Sequence, residues 1–319
     1  MSAPANPTLG SRLSGGSPAR SASSRQTGGQ RIRHHRYGYV FAAPFLACFA
    51  LLFVLPLGYA LYLSLYKNQL VGGTVFAGLS NYSRALTDRQ FLVGVGRVAL
   101  FFFLQVPVML ALAVVAALAI DSGVLRLARL VRLGIFIPYA VPAVVATLMW
   151  GYLYGPDFGP AAQLAAKLHL HAPNFLGSTL MLPSIANIVT WEFTGYNMIV
   201  LYAALRTISP DLYEAAAVDG ASAWRIAWSI KLPALRPALL LCLMFSVIGS
   251  FQLFTEPNLL VTLSPTVIGA SYTPNLYAYS LAFTSQEPDY AAAVSFLLGL
   301  VMVIISYAVL FATSRRSRR

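Results

Sequence analysis

Polar side chains are dense enough to do chemistry in three places in this chain. The first is 209–237, SPDLYEAAAVDGASAWRIAWSIKLPALRP. It gathers Asp211, Glu214, Asp219, Arg225, Lys231 and Arg236, with Arg206 just ahead, in a chain that is only 10% charged. The second is Trp191, Glu192, Tyr196 and Asn197; the third is Ser250, Phe251, Gln252, Phe254, Thr255 and Glu256. Nucleotide hydrolysis needs a Gly-rich loop closing on Lys-Ser/Thr, whose backbone donors and lysine hold the phosphates. None of the three lysines (Lys67, Lys167, Lys231) follows a glycine, so that route is closed. His34, His35, His169, His171, Cys48 and Cys242 do not share a metal-ligand spacing, and no Ser/His/Asp arrangement stands out. The chain reads as a non-enzyme with no catalytic residue, no cofactor and no metal.

The elements that must position these groups are membrane spans. The chain is 58% hydrophobic, whereas a soluble domain carries about 25% charged residues. Six apolar runs approach the roughly 20 residues a bilayer requires: 40–62, 98–120, 133–154, 182–205, 238–254 (with a possible extension to 260) and 291–311. Residues 1–36, rich in Ser, Gly, Pro and Arg, form an expected disordered basic tail. A six-helix domain at 37–312 follows, and 313–319 is a second basic tail. The fold class is all-α integral membrane. Six spans put both termini on one side. With the termini inside, segments 1–39, 121–132, 206–237 and 312–319 hold six, three, four and four basic residues, most of the chain's 22. The positive-inside rule therefore puts the N-terminus and the 209–237 loop in the cytoplasm of a multi-pass cell-membrane protein. The net charge of +12 belongs to topology and not to nucleic acid. Pro44, Pro56, Pro107, Pro138, Pro142 and Pro183 interrupt the spans and can kink them.

Within 209–237, Ser209 suits a helix cap and Pro210 the first helical position. Asp219-Gly220 signals a turn. Ser222 suits the cap of a second helix with Trp224, Ala227 and Trp228 on one side, and Pro233 is expected to end it. The order Glu214-Ala215-Ala216, Gly220, Ile230-x-Leu232-Pro233, with Asp219 and Ala221 flanking the glycine, resembles the signature loop of permease subunits of binding-protein-dependent ABC importers. The string Glu-Ala-Ala-x-x-Asp-Gly-Ala resembles their carbohydrate group. The strings GLSNYSRAL (78–86), FIPYAVPAVVATLMW (136–150) and WEFTGYNMIVLYAAL (191–205) do so too.

The resemblance implies the type I importer fold and a first loop helix that docks on ATPase subunits. Its partners would be a second, homologous permease and an extracellular solute-binding protein, and its substrate a carbohydrate. Glu214, Ala215, Ala216, Asp219, Gly220, Ala221 and Pro233 are the expected coupling residues. Trp191, Glu192, Tyr196, Asn197, Gln252 and Glu256 are the expected substrate-pathway residues. Glu192 and Tyr196, at i and i+4, share a face, and the cost of burying Glu192 in a membrane points it at a cavity or partner. SFQLFTEPNLL (250–260) resembles sugar permeases, but the Gly-Gly-Pro continuation is absent: Thr262-Leu263-Ser264-Pro265 stands instead. A polyol or glycerol-phosphate permease thus stays open, as does an ion-coupled secondary transporter, which would use Glu192. YTPNLYAYSLAF (272–283) reads as ordinary loop packing or a partner contact.

Overall fold

The computed structural model describes residues 29–69, 72–156 and 159–317. Contacts divide the chain into two units, Met1–Pro56 and Leu57–Arg319. Of the 1–36 tail, residues 1–28 lie outside the described residues. Helix α1 (Gly29–Phe49) starts ahead of the expected Tyr37. A π turn at Ala50–Val54 leads into α2 (Leu55–Ser64). The Leu55 N–H donates to the Ala50 carbonyl, five residues back. Pro56 follows directly: its missing donor and ring bulk are accommodated where the ladder is already widened.

A short antiparallel hairpin then pairs Tyr66–Gln69 (β1) with Gly73–Phe76 (β2), Tyr66 opposite Phe76. Helix α3 (Ser80–Thr87) ends at Asp88, and α4 runs from Arg89 to Asp121, 33 residues in one piece. It starts well before the expected position 98. The cause is Asp88, whose carboxylate accepts from the Gln90 N–H (2.8 Å) and caps the helix. Pro107 is absorbed inside α4.

The expected span at 133–154 is a pair. Helices α5 (Ala128–Ala140) and α6 (Ala143–Leu153) meet at a 97° bend. Pro142 is the cap of α6, and the extended Val141 before it obeys the restriction proline places on its predecessor. After α7 (Pro160–Lys167) comes α8 (Met181–Leu205), 25 residues, the length of a span but interrupted by polar side chains. The loop region holds α9 (Pro210–Val218), α10 (Ala223–Ile226), a π turn at Ala227–Lys231 and α11 (Leu232–Ala234). Then come α12 (Arg236–Phe251), a break, α13 (Thr255–Leu260), α14 (Pro274–Phe283) and α15 (Pro288–Ser317). Helix α15 thus continues into the expected 313–319 tail.

By length and composition, four stretches among the described residues are apolar enough to cross a membrane: Tyr39–Ser64, Arg89–Asp121, Arg236–Leu260 and Pro288–Phe311. The bent α5–α6 pair, taken as one span, makes five. The most extensive packing joins α4 to α8. At one end, Ala113, Ala117 and Ile120 of α4 meet Met198, Leu201 and Leu205 of α8, with Leu235 and Cys242. In the middle, Phe101 packs with Ile185, Ile188 and Leu253. At the far end, Phe91 and Val98 pack with Phe251, Tyr277 and Tyr290. There the Asp88 carboxylate also accepts from the hydroxyls of Tyr277 and Tyr290, both at 2.7 Å. In the 272–283 segment Tyr272 and Tyr277 are thus packed within the chain, while Tyr279 and Phe283 are exposed.

Candidate functional site

The 209–237 loop folds as helix, glycine turn, helix. Pro210 occupies the first turn of α9 and Asp211 sits near its N-terminus, where the helix dipole favours an acid. Ser209 does not cap: its hydroxyl bonds the Asp211 carboxylate (3.2 Å) instead of a backbone N–H. Gly220 has φ +79°, the left-handed region, and a Cβ there would meet open space. The glycine is therefore required by backbone conformation and not by crowding. Its turn is closed by Ala221 N–H donating to the Ala216 carbonyl (2.9 Å). Ser222 caps α10 through the Arg225 N–H (3.3 Å).

Pro233 does not end the second helix. The Leu232 N–H reaches back five residues to Ala227, and the widened turn lets Pro233 sit inside helical backbone, as at Pro56. Glu214, Ala215, Asp219 and Gly220 are exposed; Ala216, Ala221 and Pro233 are half-buried. The outward face of α9 adds Leu212 and Val218, at 49% and 87% exposure. Trp224 and Trp228 stack with centroids 5.7 Å apart and are exposed as well. Tyr213, on the inward side of α9, lies under the Lys231 ammonium, 4.8 Å from the ring centroid. Lys231 in turn pairs with Asp121, the last residue of α4, at 2.5 Å. The Tyr213 hydroxyl is buried without a partner. Burial and the nearby Asp121 carboxylate push its pKa up, against a smaller opposing effect of Arg206.

The second site is a cavity of about 470 Å³ between α4, the α5–α6 bend, α8 and the α12–α13 break. It exists because α12 stops at Phe251 and resumes as α13 at Thr255, leaving Gln252–Phe254 outside any helix. Tyr196, Asn197, Gln252 and Glu256 line it. Tyr139 and Tyr196 form a stacked wall, centroids 5.0 Å apart at 26°. Gln105 donates to Met109 Sδ (3.2 Å) and Thr190 Oγ1 (3.4 Å). Asn197 donates to the Phe193 carbonyl (2.9 Å).

Trp191 and Glu192 are not in the lining. Trp191 packs edge-on to Trp150 at 5.8 Å. Glu192 is 4% exposed, and neither carboxylate oxygen has a hydrogen-bond partner. The i, i+4 argument puts it on the cavity side of α8, yet its carboxylate is buried and outside the cavity lining. Phe101, Gln105, Met109, Tyr139 and Phe193 line the cavity too and went unnoticed in the sequence. Gln105 is a lone amide in a long apolar run, a signal that was available. Tyr139 is brought in by the packing of α5 against α8.

Several apolar helices, an open cavity among them and an exposed helix–turn–helix loop fit a multi-pass membrane transport subunit. The chain belongs to the binding-protein-dependent transport system inner membrane component family, whose model matches residues 37–318. It is 30% identical over 288 residues to the lactose transport system permease LacF of Rhizobium radiobacter, covering 88% of this chain and 94% of that one. It is 30% identical over 282 residues to the trehalose transport system permease SugA of Mycobacterium tuberculosis, covering 86% and 88%. Its fold matches a bacterial alginate ABC transporter solved in complex with an alginate pentasaccharide-bound periplasmic protein. The TM-score is 0.79 at 20% identity, over 90% of this chain and 96% of that one.

Proposed function

We propose that this chain is one of two permease subunits of an importer for a neutral carbohydrate, driven by ATP hydrolysed on separate subunits. Six spans are counted by adding α8 and the bent α5–α6 pair to the four clearly apolar stretches. The N-terminus and the 209–237 loop are cytoplasmic, as the basic residues favour. The exposed face of α9 carries Glu214 and docks on the ATPase, with Gly220 setting the angle of that helix. An extracellular solute-binding protein delivers the substrate, as the alginate relative's complex supports.

The observation that carries the substrate reading is the cavity wall. A sugar presents apolar C–H faces and hydroxyls; the Tyr139–Tyr196 stack offers ring faces, and Gln105, Asn197, Gln252 and Ser250 offer amides and a hydroxyl. Among the described residues, the lining holds one acid, Glu256, and no Lys or Arg. A phosphorylated or uronic substrate would enter that surface with its charge unpaired, which disfavours glycerol phosphates. The opposing face is left to the second permease.

The test is uptake of radiolabelled neutral disaccharides by cells carrying the complete transporter. Uptake of a neutral sugar that is lost with Tyr139→Ala or Tyr196→Ala supports the reading; uptake confined to anionic solutes overturns it. Glu214→Lys is expected to abolish uptake while leaving the chain in the membrane, and normal uptake would sink the docking role. Gly220→Val is expected to release the ATPase on purification, because a β-branched residue is strained at this φ.

A further inference from the structure

The structure ties the coupling loop to the cavity by a route beyond the docking helix itself. We propose that Lys231 is the link that carries displacement of α9 into α4, through Asp121 on one side and Tyr213 on the other. This rests on the reading of α9 as the docking helix.

The side chains come from three separate elements. Tyr213 is on α9, Lys231 is in the π turn of the second loop helix, and Asp121 is the C-terminal residue of α4. The ion pair is largely shielded: the side chains are 12% and 6% exposed, in a loop whose other charges face outward. An exposed pair contributes little, but breaking a shielded one leaves the remaining charge without compensation. Lysine's strongly hydrated ammonium favours water, yet here it is held between a carboxylate and a ring face. The lever is long. Helix α4 has 33 residues, about 50 Å at 1.5 Å each. Met109 and Gln105 of the cavity wall lie 12 and 16 residues back from Asp121 on that same helix. A displacement of α9 that moves Tyr213 and Lys231 therefore pulls directly on the element that carries Gln105, one of the cavity's amides.

The experiment uses the complete transporter, with its ATPase and second permease, in nanodiscs. Cys48 and Cys242 are replaced by alanine, and Ser246→Cys reports on the cavity through its labelling rate with a membrane-impermeant maleimide. ATP with vanadate is expected to change that rate. In Asp121→Asn or Lys231→Met, the ATPase is expected to co-purify as before, while the ATP-dependent change in labelling shrinks about tenfold, within the usual range of coupling between sites. Asp121→Glu, which keeps both the ion pair and the Lys231–Tyr213 contact, is expected to preserve the response to within about threefold. The link is overturned by an undiminished response in the broken-pair variants. It is also overturned by failure of Asp121→Glu with the ATPase still bound, or by loss of the ATPase from both kinds of variant, which would mean that the pair merely holds the loop together. Retention of the ATPase by Glu214→Lys would count against the docking reading alone.

Discussion

Gly195 is buried where α8 meets α5, one residue from the tyrosine that stacks in the cavity wall. A Cβ at this position would stand 2.7 Å from the Cα of Phe136 and 2.8 Å from the carbonyl carbon of Ile135, with that carbonyl oxygen nearer still. Ordinary contacts of a Cβ fall at 3.4–4 Å, and the obstructing atoms are backbone, so no rotamer change relieves them. Gly195→Ala therefore requires α5 and α8 to separate by about 1 Å, an overpacking that typically costs about 1–3 kcal/mol. Gly249 supplies the control. It is also helical and also lines the cavity, but a Cβ there meets nothing within 4 Å. Gly249→Ala should gain the roughly 0.5–1 kcal/mol that alanine brings to a helix interior. One substitution type thus has opposite signs at two sites 54 positions apart. The assay is thermal unfolding of the complete transporter in detergent, followed by the fluorescence of a thiol dye. Gly195→Ala is expected to lower the Tm by roughly 2 °C or more, Gly249→Ala to raise it or leave it unchanged. Equal stability of the two variants would refute the close-approach reasoning. So would a normal Tm for Gly195→Ala with the Tyr139–Tyr196 wall still functional in uptake.

Three further outcomes follow from the same geometry. Tyr196→Ala removes one ring of the wall and should raise the half-saturating substrate concentration about tenfold, a loss of about 1–2 kcal/mol, whereas Tyr196→Phe should stay within a factor of two or three; equal effects of both would put the hydroxyl, not the ring, in charge. Glu192→Gln replaces a buried carboxylate that has no partner and should stabilise the protein by about 1 kcal/mol; a lower Tm would show that the carboxylate has a use the fold does not reveal. Asp88 is raised by burial but lowered more strongly by the hydroxyls of Tyr277 and Tyr290 and the N–H groups of Gln90 and Phe91, which hold it below the usual carboxylate range. A depressed carboxylate contributes stability that is present above its unfolded value, about 3.9, and is lost as the pH falls through the lower folded value. Asp88→Asn should therefore flatten the acid limb of a Tm–pH profile; an unchanged limb would remove Asp88 from the cause.

How much of this could be read beforehand divides along physical lines. The loop was legible because its signals are local: proline at the first helical position, a glycine that must take positive φ, and a serine cap. The spans were legible as apolar length, although boundaries moved wherever a cap decided them, as Asp88 does for α4. Pro233 misled because a proline reads as a stop, whereas a π turn just ahead of it lets the helix pass. The cavity was half legible. Tyr196, Asn197, Gln252 and Glu256 stood out as polar residues in apolar runs. Tyr139 and Met109 did not, since only packing across helices brings them to the same space. Glu192 shows the limit of face arguments: periodicity places a Cβ, not the carboxylate beyond it. The hydroxyl cluster around Asp88 joins distant parts of the chain and had no local signature, whereas the hairpin Tyr66–Phe76 is local and its Gly72-Gly73 pair was an available signal.

The π turn at Ala227–Lys231 has a consequence for rotation. An α-helix advances by about 100° per residue, and a π turn accommodates one residue more than an α turn does. The segment bearing Trp224 and the segment bearing Leu235 are therefore out of phase by nearly a third of a revolution relative to a plain helix of the same path. Lys231 closes that turn, so its bearing towards Asp121 depends on the extra residue. Deleting Ser229 together with Pro233→Ala would leave a backbone free to form ordinary helix and almost the same composition. Lys231 would keep nearly its present bearing there, whereas relaxation of the π turn to ordinary helix with no residue removed would swing it round by about 100° relative to Trp224. In this loop it is the extra residue of the π turn that sets the bearing of Lys231.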